Sequence, residues 1–546
     1  MKRKAVAAVL TAVMVASMFT GCGSDNGSSS AKSASAASAA SAANDTVDED
    51  GKVNGIMYQE GLPLVDEGDY TFSIFCDDSS ESGEFIMLDE FKKQTNVDVD
   101  LKIYPYETAT ERLNLDLNSG DYADVIGGWT LSDNAILTYG VNQGVFIPLE
   151  DYFEKYCPNI SAILDLPGVR EKMTAPDGHI YTIPYVCADT TVGYSPYINT
   201  KWLENVGMSM PTTTDEFEAV LKAFKEQDAN GNGDASDEIP FSTDPNNKHI
   251  EAMAGYFGLP MNKLGIAIQN EKVVYGGVSD TYREFLSWFH KLYAEGLVDV
   301  ELYTQDSSTW EGKGNQDLYG VSIAYGSNEF TGIPAAEERG DFDSMPVLNT
   351  DKDGIWMRDT EGFSVYRTQA VITNKAEHPE IICRWFDNAF ALENGIGCNR
   401  GPVGVIVNKE DDGYHAIDTT TLSEEDQEKY SWGNLWPQSL PKYLPVDFEL
   451  VEEHPMYDEK KATEEAYEAN LTKEIIPSYW IDLDKIDTFS DTNTAIKDFF
   501  EQQQAQFVCG ELDIDNDADW QAYVDGMYSL GLEDWVATQG IEEIAK

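Results

Sequence analysis

The sequence predicts an α/β fold built around a doubly wound sheet, and three observations lead to this prediction. Strand-like and helical runs alternate between residues 70 and 128, beginning with the alternating side chains of Tyr70–Phe75. Phe85, Leu88 and Phe91 then recur at helical spacing. Finally, 546 residues with 42% hydrophobic and 25% charged side chains are enough for two or three globular domains.

The remaining elements of this first unit follow in order. Val97–Ile103 alternates like a second strand, residues 109–120 have the pattern of a second amphipathic helix, and residues 124–128 have that of a short buried strand. This order implies a parallel sheet, and such sheets bind ligands outside the carboxyl ends of their strands. We therefore expect ligand contacts in the loops after Phe75 and Ile126.

The N-terminus predicts export. Residues 2–4 are Lys, Arg and Lys, and the apolar run that follows is too short to span a bilayer. Small residues then precede Cys22, a pattern that resembles a bacterial lipobox. The resemblance implies a signal peptide over residues 1–21 and a lipid on the Cys22 thiol, which anchors the protein to the extracellular face of the cell membrane. The alternative is a soluble signal with an incidental cysteine. Residues 22–68 begin with a Gly, Ser and Ala run and predict a flexible tether.

The charge and the cysteines restrict the function classes. A formal net charge of −60 repels nucleic acid and anionic surfaces and favours an uncharged ligand. The six cysteines besides Cys22 show no CxxC spacing, so the usual zinc and redox motifs are not predicted.

Five stretches carry a family resemblance that extends over nearly the whole folded body. They are residues 111–126 (ERLNLDLNSGDYADVI), 177–185 (DGHIYTIPY), 211–217 (PTTTDEF), 374–387 (NKAEHPEIICRWFD) and 507–514 (FVCGELDI). In these stretches the chain resembles the extracellular solute-binding lipoproteins of bacterial carbohydrate ABC transporters, family 1. The resemblance implies a two-lobed periplasmic-binding-protein-like fold, in which each lobe is a doubly wound sheet with flanking helices and the ligand cleft lies between the lobes.

The resemblance also implies the domain organisation. The expected lobes are residues 69–192 and 371–445 for lobe 1, and residues 193–370 and 446–546 for lobe 2. The strand-like run VGYSP, residues 192–196, is the expected first crossing between the lobes, because Pro196 limits how far it continues in a sheet. Downstream, Thr213 and Glu216 have the spacing of a capping box and predict a helix start.

A polar loop after this helix predicts a cation site. From residue 228 onward, oxygen-bearing side chains alternate with small residues and match the first half of an EF-hand loop, which binds calcium through six to eight oxygens. The last EF-hand position is Ile239 rather than Glu, so the closing carboxylates are expected from Asp237 or Glu238. The candidate ligands are Asp228, Asn230, Asn232, Asp234, Asp237 and Glu238. In the resembled family a similar loop holds a structural Ca²⁺, which implies that role here; the alternative is a solvated acidic turn.

The candidates for sugar binding are aromatic and acidic side chains. Sugars present C–H faces on their rings and hydroxyl groups on their edges, so a cleft needs flat aromatic rings and charged acceptors. The candidates for ligand binding are Trp129, Tyr185, Trp310, Tyr325, Trp356, Trp432 and Trp436, with Asp78 and Glu81 as polar partners. For each aromatic residue the alternative is burial in a core.

The expected function is therefore binding rather than catalysis. A monomeric receptor would capture a neutral mono- or oligosaccharide by hinge closure and deliver it to the transmembrane subunits of an ABC permease. A surface glycoside hydrolase is an alternative because carboxylates are abundant, but no two of them stand out, and the sequence has no nucleophile elbow, HExxH or Walker motif. A lipoprotein of the same fold that binds peptides or presents its ligand to a sensor is a further alternative.

Overall fold

A computed structural model describes residues 45–78, 84–244, 249–332, 341–448, 450–451 and 455–545. The expected signal peptide, Cys22, the first half of the expected tether and Glu81 lie outside these residues. Within the described ranges, no helix combines the length and the apolarity that crossing a membrane requires.

The strands of the described residues form two main sheets and three small ones. In chain order they are β1 Lys52–Val53, β2 Met57–Tyr58, β3 Tyr70–Asp77, β4 Val97–Tyr104, β5 Val125–Gly127, β6 Thr182–Ala188, β7 Ser195–Asn199, β8 Ile239–Thr243, β9 Ile266–Gln269, β10 Lys272–Tyr275, β11 Tyr319–Ala324, β12 Phe342–Ser344, β13 Phe363–Ile372, β14 Val407–Glu410, β15 Gly413–Ala416 and β16 Glu543–Ile544.

The first main sheet has the order β4-β3-β5-β13-β6. β3 pairs in parallel with β4 and with β5, as the alternation of strands and helices predicts. β13 is antiparallel to both of its neighbours, so the sheet is mixed rather than wholly parallel. The local pattern cannot show this, because β13 comes from a distant part of the chain. As a result, the carboxyl ends of β3, β5 and β6 and the amino end of β13 meet at one edge.

The second main sheet has the order β12-β7-β11-β8 and is also mixed. β11 is parallel to β8 and antiparallel to β7. Pro196 is the second residue of β7, and the strand continues to Asn199, so Pro196 stands near the start of the strand rather than at its end. A proline is tolerated there because few ladder hydrogen bonds are lost. The predicted α/β class with two sheet units is confirmed.

Helices cover the faces of both sheets and most of the C-terminal region. The α-helices of the described residues are Ile86–Thr95, Tyr106–Ser119, Asp133–Ala135, Glu150–Tyr156, Pro158–Leu164, Val169–Met173, Thr200–Val206, Thr214–Glu226, Asp280–Ala294, Ser307–Asn315, Asn328–Thr331, Pro379–Ala389, Leu392–Arg400, Glu424–Lys429, Pro455–Tyr467, Ile486–Cys509, Asp517–Ser529 and Leu532–Thr538.

The helix Thr214–Glu226 begins at the predicted cap. The Thr213 hydroxyl accepts a hydrogen bond from the backbone N–H of Glu216, at 3.2 Å. The Glu216 carboxylate turns back to Thr212, one residue earlier than a standard capping box, and accepts from its backbone N–H at 2.8 Å. Phe217 and the apolar residues that follow it at helical spacing are buried, so this helix supports a core.

The two main sheets bury separate cores. The core of the first sheet contains Phe72, Phe91 and Trp385, and that of the second contains Trp202 and Phe289. A further apolar cluster joins residues of the first sheet, such as Phe75 and Ile126, to Ile481 and Ile486 of the C-terminal region. The C-terminal region therefore contacts both sheet units.

Two of the segments in which the chain passes between the sheets are hydrogen-bonded to each other. Residues 189–194 connect β6 to β7, and residues 357–362 precede β13. The backbone N–H of Asp359 donates to the carbonyl of Thr191 at 3.0 Å, and its carboxylate accepts from the backbone N–H of Gly193 at 2.7 Å. We call these two stretches the crossing segments; the two hydrogen bonds hold them side by side.

Candidate functional site

Trp129 is held at the edge of the first sheet by the last residue of β3. The carboxylate of Asp77 accepts from the backbone N–H of Trp129 at 3.0 Å and from that of Thr130 at 2.6 Å. Gly128 has a φ of 132°, and a Cβ at this position would overlap the Asp77 carboxylate, so only glycine allows the approach. The indole that results is 45% exposed. The loops after β3 and β5 thus meet where the sequence predicts ligand contacts.

Two tyrosines extend this edge into an aromatic floor, made of Trp129, Tyr185 and Tyr366. Tyr185 on β6 and Tyr366 on β13 are direct partners across the strands, and their rings stack with centroids 5.5 Å apart. The Trp129 ring stands edge-on to both tyrosines, at 5.2 Å from Tyr366 and 6.5 Å from Tyr185. The floor offers flat apolar rings at a partly exposed edge, which is the geometry that stacking on a sugar face requires.

The second sheet contributes an aromatic wall, made of Tyr194, His249 and Tyr325. The rings of Tyr194 and His249 stack with centroids 4.0 Å apart and planes 14° apart. Tyr325 follows β11 and stands edge-on to Tyr194 at 6.0 Å. Burial lowers the pKa of His249 to about 4, so its imidazole is neutral at pH 7 and offers one donor and one acceptor nitrogen. Nε2 of His249 is buried without a hydrogen-bond partner among the described residues.

Asp189 joins the floor to the wall. Its carboxylate accepts a hydrogen bond from the Ser364 hydroxyl at 2.5 Å, and the hydroxyls of Tyr366 and Tyr325 each approach it at 3.4 Å. Tyr366 belongs to the first sheet and Tyr325 follows the second, so both sheets reach this one carboxylate. The backbone N–H of Thr190 also donates to this carboxylate, at 2.8 Å. The two long tyrosine contacts are weak hydrogen bonds, so a ligand hydroxyl could replace either of them.

A helix from the C-terminal region supports the wall. Lys460, on the helix Pro455–Tyr467, donates to the carbonyl of Gly193 in the first crossing segment at 2.7 Å. The same ammonium lies 3.9 Å from the centroid of the Tyr325 ring. Burial lowers the pKa of Lys460 to about 8. Lys460 therefore ties the position of Tyr325 to that of the crossing segment.

Trp432 and Asp78 are both hydrogen-bonded to Gln438, near the aromatic floor. The Asp78 carboxylate accepts from the backbone N–H of Gln438 at 2.7 Å, and the Gln438 amide donates to the carbonyl of Trp432 at 3.0 Å. Trp432 is 59% exposed, whereas Asp78 is buried. The Lys442 ammonium lies 5.8 Å from the centroid of the Trp432 ring and 5.9 Å from that of the Tyr185 ring.

Three of the candidate tryptophans lie in cores, and this corrects the expectation that they line a cleft. Trp310 packs on Phe330 and donates its Nε1–H to the Ser322 hydroxyl, at 3.2 Å. The other two, Trp356 and Trp436, are 2% and 0% exposed and belong to the cores of the second and first sheet respectively. A ring whose two faces are both packed has no face left for a ligand. Glu81 lies outside the described residues.

The sequence did not single out Tyr366, Asp189, Tyr194, His249 or Lys442. The position of Tyr366 depends on the register of β13 against β6, and that of His249 on a stack with a residue far away in the chain. One signal was available. Asp189 directly follows a strand-like run that ends in polar residues, at the edge where the fold class predicts ligands.

The predicted cation loop is closed by internal hydrogen bonds. The Asp228 carboxylate accepts from the backbone N–H of Gly233 at 3.0 Å, as the first EF-hand ligand does. The side-chain amides of Asn230 and Asn232 donate to the carboxylate of Asp237 at 3.2 Å and 2.7 Å. A half-turn of each amide would instead present its oxygen to a cation.

The donor set of this loop fits a hard cation. Oδ1 of Asp228 and Oε2 of Glu238 are buried without a hydrogen-bond partner among the described residues. Burial raises the pKa of Glu238, because surroundings of low dielectric constant disfavour its charged form. The Asp234 side chain turns away to accept from the backbone N–H of Ser236 at 3.2 Å, leaving its backbone carbonyl as the available ligand.

The structure has two sheet units, a pair of crossing segments and exposed aromatic rings where the units meet. These are the features of a two-lobed solute-binding protein. The profile of the bacterial extracellular solute-binding protein family matches residues 78–395, more than half of the chain, so the chain belongs to this family. Among its relatives is the fructooligosaccharide ABC transporter substrate-binding protein FusA of Streptococcus pneumoniae, 28% identical over 97% of this chain and 96% of its own length.

Solved structures of that Streptococcus pneumoniae protein share the fold. FusA in complex with kestose has a TM-score of 0.75 and 26% identity, covering 86% of this chain and 98% of its own. An EF-hand mutant of FusA in complex with fructo-nystose has a TM-score of 0.73 at the same identity and coverage.

Proposed function

We propose that this protein is the lipid-anchored receptor of a bacterial ABC importer and that it captures a neutral oligosaccharide between its two sheet units. The observation that carries the proposal is the convergence of the aromatic floor and the aromatic wall on Asp189. Exposed aromatic rings at one place are costly in water and mark a binding surface. Stacked sugar faces bury these rings, and Asp189 accepts from sugar hydroxyls.

The charge of the site supports a neutral ligand. Asp78 and Asp189 are carboxylates, and Glu329 sits beside the wall with its carboxylate accepting from the Tyr325 backbone N–H at 2.9 Å. Burial raises the pKa of Glu329. Since the whole chain also carries a large negative charge, a polyanionic sugar is disfavoured. The named ligands of FusA make short fructooligosaccharides the first sugars to test.

The proposed lobes follow the two main sheets. We place the start of the return to lobe 1 at Phe363, where β13 first pairs with β6, rather than at residue 371. Lobe 1 is then residues 69–192 and 363–445, and lobe 2 is residues 193–362 and 446–546, with the segment around Ile481 contacting both. Closure about the crossing segments brings the wall to the floor and presents the closed form to the permease.

Lipid anchoring and calcium complete the proposal. Acylation of Cys22 keeps the receptor, a monomer, beside the transmembrane subunits at the extracellular face of the membrane. Ca²⁺ in the loop from Asp228 to Glu238 stabilises lobe 2 and takes no part in transport. An anchor at Cys22 predicts that a Cys22→Ser variant moves from the membrane fraction to the medium, which fractionation and immunoblotting measure.

A ligand screen on the purified protein tests the proposed function. Thermal shift and calorimetry with kestose, other neutral oligosaccharides, oligogalacturonate and short peptides are expected to show stabilisation by neutral sugars alone. Chromatography of the sugar after long incubation is expected to recover it intact. New reducing ends would instead establish a glycoside hydrolase, and stabilisation by peptides alone would establish a peptide receptor.

A further inference from the structure

Lys442 is a buried cation at the edge of the aromatic floor. The residue is 2% exposed. Its ammonium lies within 6 Å of the ring centroids of both Tyr185 and Trp432. Both rings attract a cation through their faces. Trp432 is itself 59% exposed, so one of the two rings beside the ammonium is open to solvent.

The ammonium has hydrogen-bonding capacity that the protein does not use. A protonated lysine carries three N–H donors. Among the described residues, Nζ of Lys442 donates to Oε1 of Gln438, at 2.8 Å, and no carboxylate oxygen forms an ion pair with it. Unpaired buried charge is costly, and burial accordingly lowers the pKa of Lys442 to about 8. A ligand oxygen at the remaining donors would remove much of this cost.

Lys442 complements Asp189 chemically. A lysine only donates and an ionised carboxylate only accepts. Lys442 approaches the ring of Tyr185, and Asp189 approaches the hydroxyl of Tyr366, while the two tyrosine rings stack on each other. A sugar ring beside this pair would therefore meet an acceptor for its hydroxyl protons and a separate donor for its oxygen lone pairs.

We propose that Lys442 is a specificity-determining residue, whose ammonium donates to oxygen atoms of the carbohydrate bound beside Tyr185 and Trp432. This inference rests on the proposed function and deepens it. The Lys442 ammonium would select ligands with acceptor oxygens at the Tyr185 end of the floor. A sugar that lacks an oxygen there leaves the buried cation unpaired and is rejected.

The same contact makes affinity depend on pH. Ligand oxygens stabilise the charged form, so the pKa of Lys442 rises on binding. Affinity is then constant below about pH 8 and falls as the pH rises through that value. The other charged and titratable groups that face Lys442 are Asp78, Cys187, Cys398 and Arg400. Burial raises the pKa of the Cys187 thiol to about 12 and that of Cys398 further, so neither thiol titrates in this range.

Calorimetry with kestose on wild type, Lys442→Met and Lys442→Arg tests the inference. At pH 7 the Met variant is expected to bind about 10- to 100-fold more weakly, which is the usual effect of losing hydrogen bonds to a charged group. The Arg variant keeps the charge and is expected to recover part of the affinity. Between about pH 7 and about pH 9.5 the wild-type affinity should fall more steeply than that of the Met variant. Lys460 titrates in the same range, and the difference between the two profiles isolates Lys442.

The outcomes separate this inference from the proposed function. If wild type binds kestose and the Met variant binds it equally well with the same pH profile, the inference is wrong and the proposed function stands. If wild type binds no neutral sugar, both are overturned. Circular dichroism and the Tm of each variant verify folding. If the Met variant does not fold, the affinity of the Arg variant and the pH profile of the wild type test the inference instead.

Discussion

Tyr366 lies on Tyr185 across strands β13 and β6, with ring centroids 5.5 Å apart and ring planes 27° apart. This stack is built by a register that joins two distant parts of the chain. It places two flat rings at the sheet edge where Trp129 is also held. Replacing residues of this surface should change ligand affinity, whereas replacing residues that only support the fold should change stability.

Replacement of Trp129 by Ala is expected to weaken binding of a neutral oligosaccharide about 10- to 100-fold. The ring is 45% exposed, so its loss removes about 1.5 to 3 kcal/mol of burial against the sugar with little cost to folding. Calorimetry measures the affinity. Tyr528→Ala, at an aromatic residue 41% exposed on the helix Asp517–Ser529, is the matched control and should bind as wild type does. Equal losses in both variants would contradict a role for Trp129.

Trp432 and Trp436 are four positions apart and should respond in opposite ways. Trp436 is fully buried and stacks on Trp385 at 5.6 Å, so Trp436→Leu is expected to lower the free energy of unfolding by about 3 kcal/mol. Trp432→Leu is expected to lower affinity and to leave the Tm nearly unchanged. Denaturation and calorimetry on both variants distinguish the roles, and a stable Trp436→Leu variant with impaired binding would reverse them.

Removal of calcium is expected to lower the Tm. A cation that binds only the folded chain stabilises it by mass action, about 2.7 kcal/mol at a hundred times its Kd. Asp228→Asn should lower the Tm and make it insensitive to a chelator. Asp484→Asn, an exposed carboxylate outside the loop, should retain the chelator effect. If a chelator does not change the Tm of the wild type, the proposed calcium site is wrong.

His179 is expected to titrate above the ordinary histidine range. Its Nδ1 lies 2.5 Å from Oε1 of Glu150, and this hydrogen bond raises the pKa of the imidazole. A raised pKa in the folded state means that the pair stabilises the protein fully below about pH 6.5, and that this contribution disappears as the pH rises through the folded-state pKa. The effect on stability is small because His179 is half exposed. NMR titration of the ring measures the pKa.

Glu150→Gln is the control for His179. It keeps an oxygen that can accept from the backbone N–H of Ile180, as the carboxylate now does at 3.0 Å, but it removes the charge. The pKa of His179 should return to the ordinary value of about 6.5. An unchanged pKa in this variant would show that another group controls the imidazole.

The cap of the helix Thr214–Glu226 allows a direct stability test. Thr213→Ala removes the hydroxyl that accepts from the backbone N–H of Glu216 and is expected to cost about 1 kcal/mol. Thr213→Ser keeps the hydroxyl and should restore most of the loss. Urea unfolding measures both variants, and equal stability of Ala and Ser would mean that the cap contributes nothing.

Local sequence patterns predicted the local structure well. The alternation in Tyr70–Phe75 and the spacing of Phe85 and Phe91 correspond to a strand and a helix that the structure contains. The cap at Thr213 was equally visible, because its partners are three residues apart. These features depend only on near neighbours in the chain.

The site was less predictable, because it depends on distant neighbours. Trp310 and Trp432 both lie among polar residues in the sequence, yet one is packed under Phe330 and the other is exposed. Their environments are set by tertiary packing, which composition does not reveal. Asp189 and Tyr366 acquire a role only once the register of β13 brings them together.

Asp189 stands at the head of the first crossing segment and also touches a ring from each sheet unit. In the proposed receptor, a sugar hydroxyl that draws this carboxylate away from Tyr325 or Tyr366 would pull on the segment about which closure is proposed. Ligand contact and lobe closure would then depend on the same residue, with no intermediate group between them.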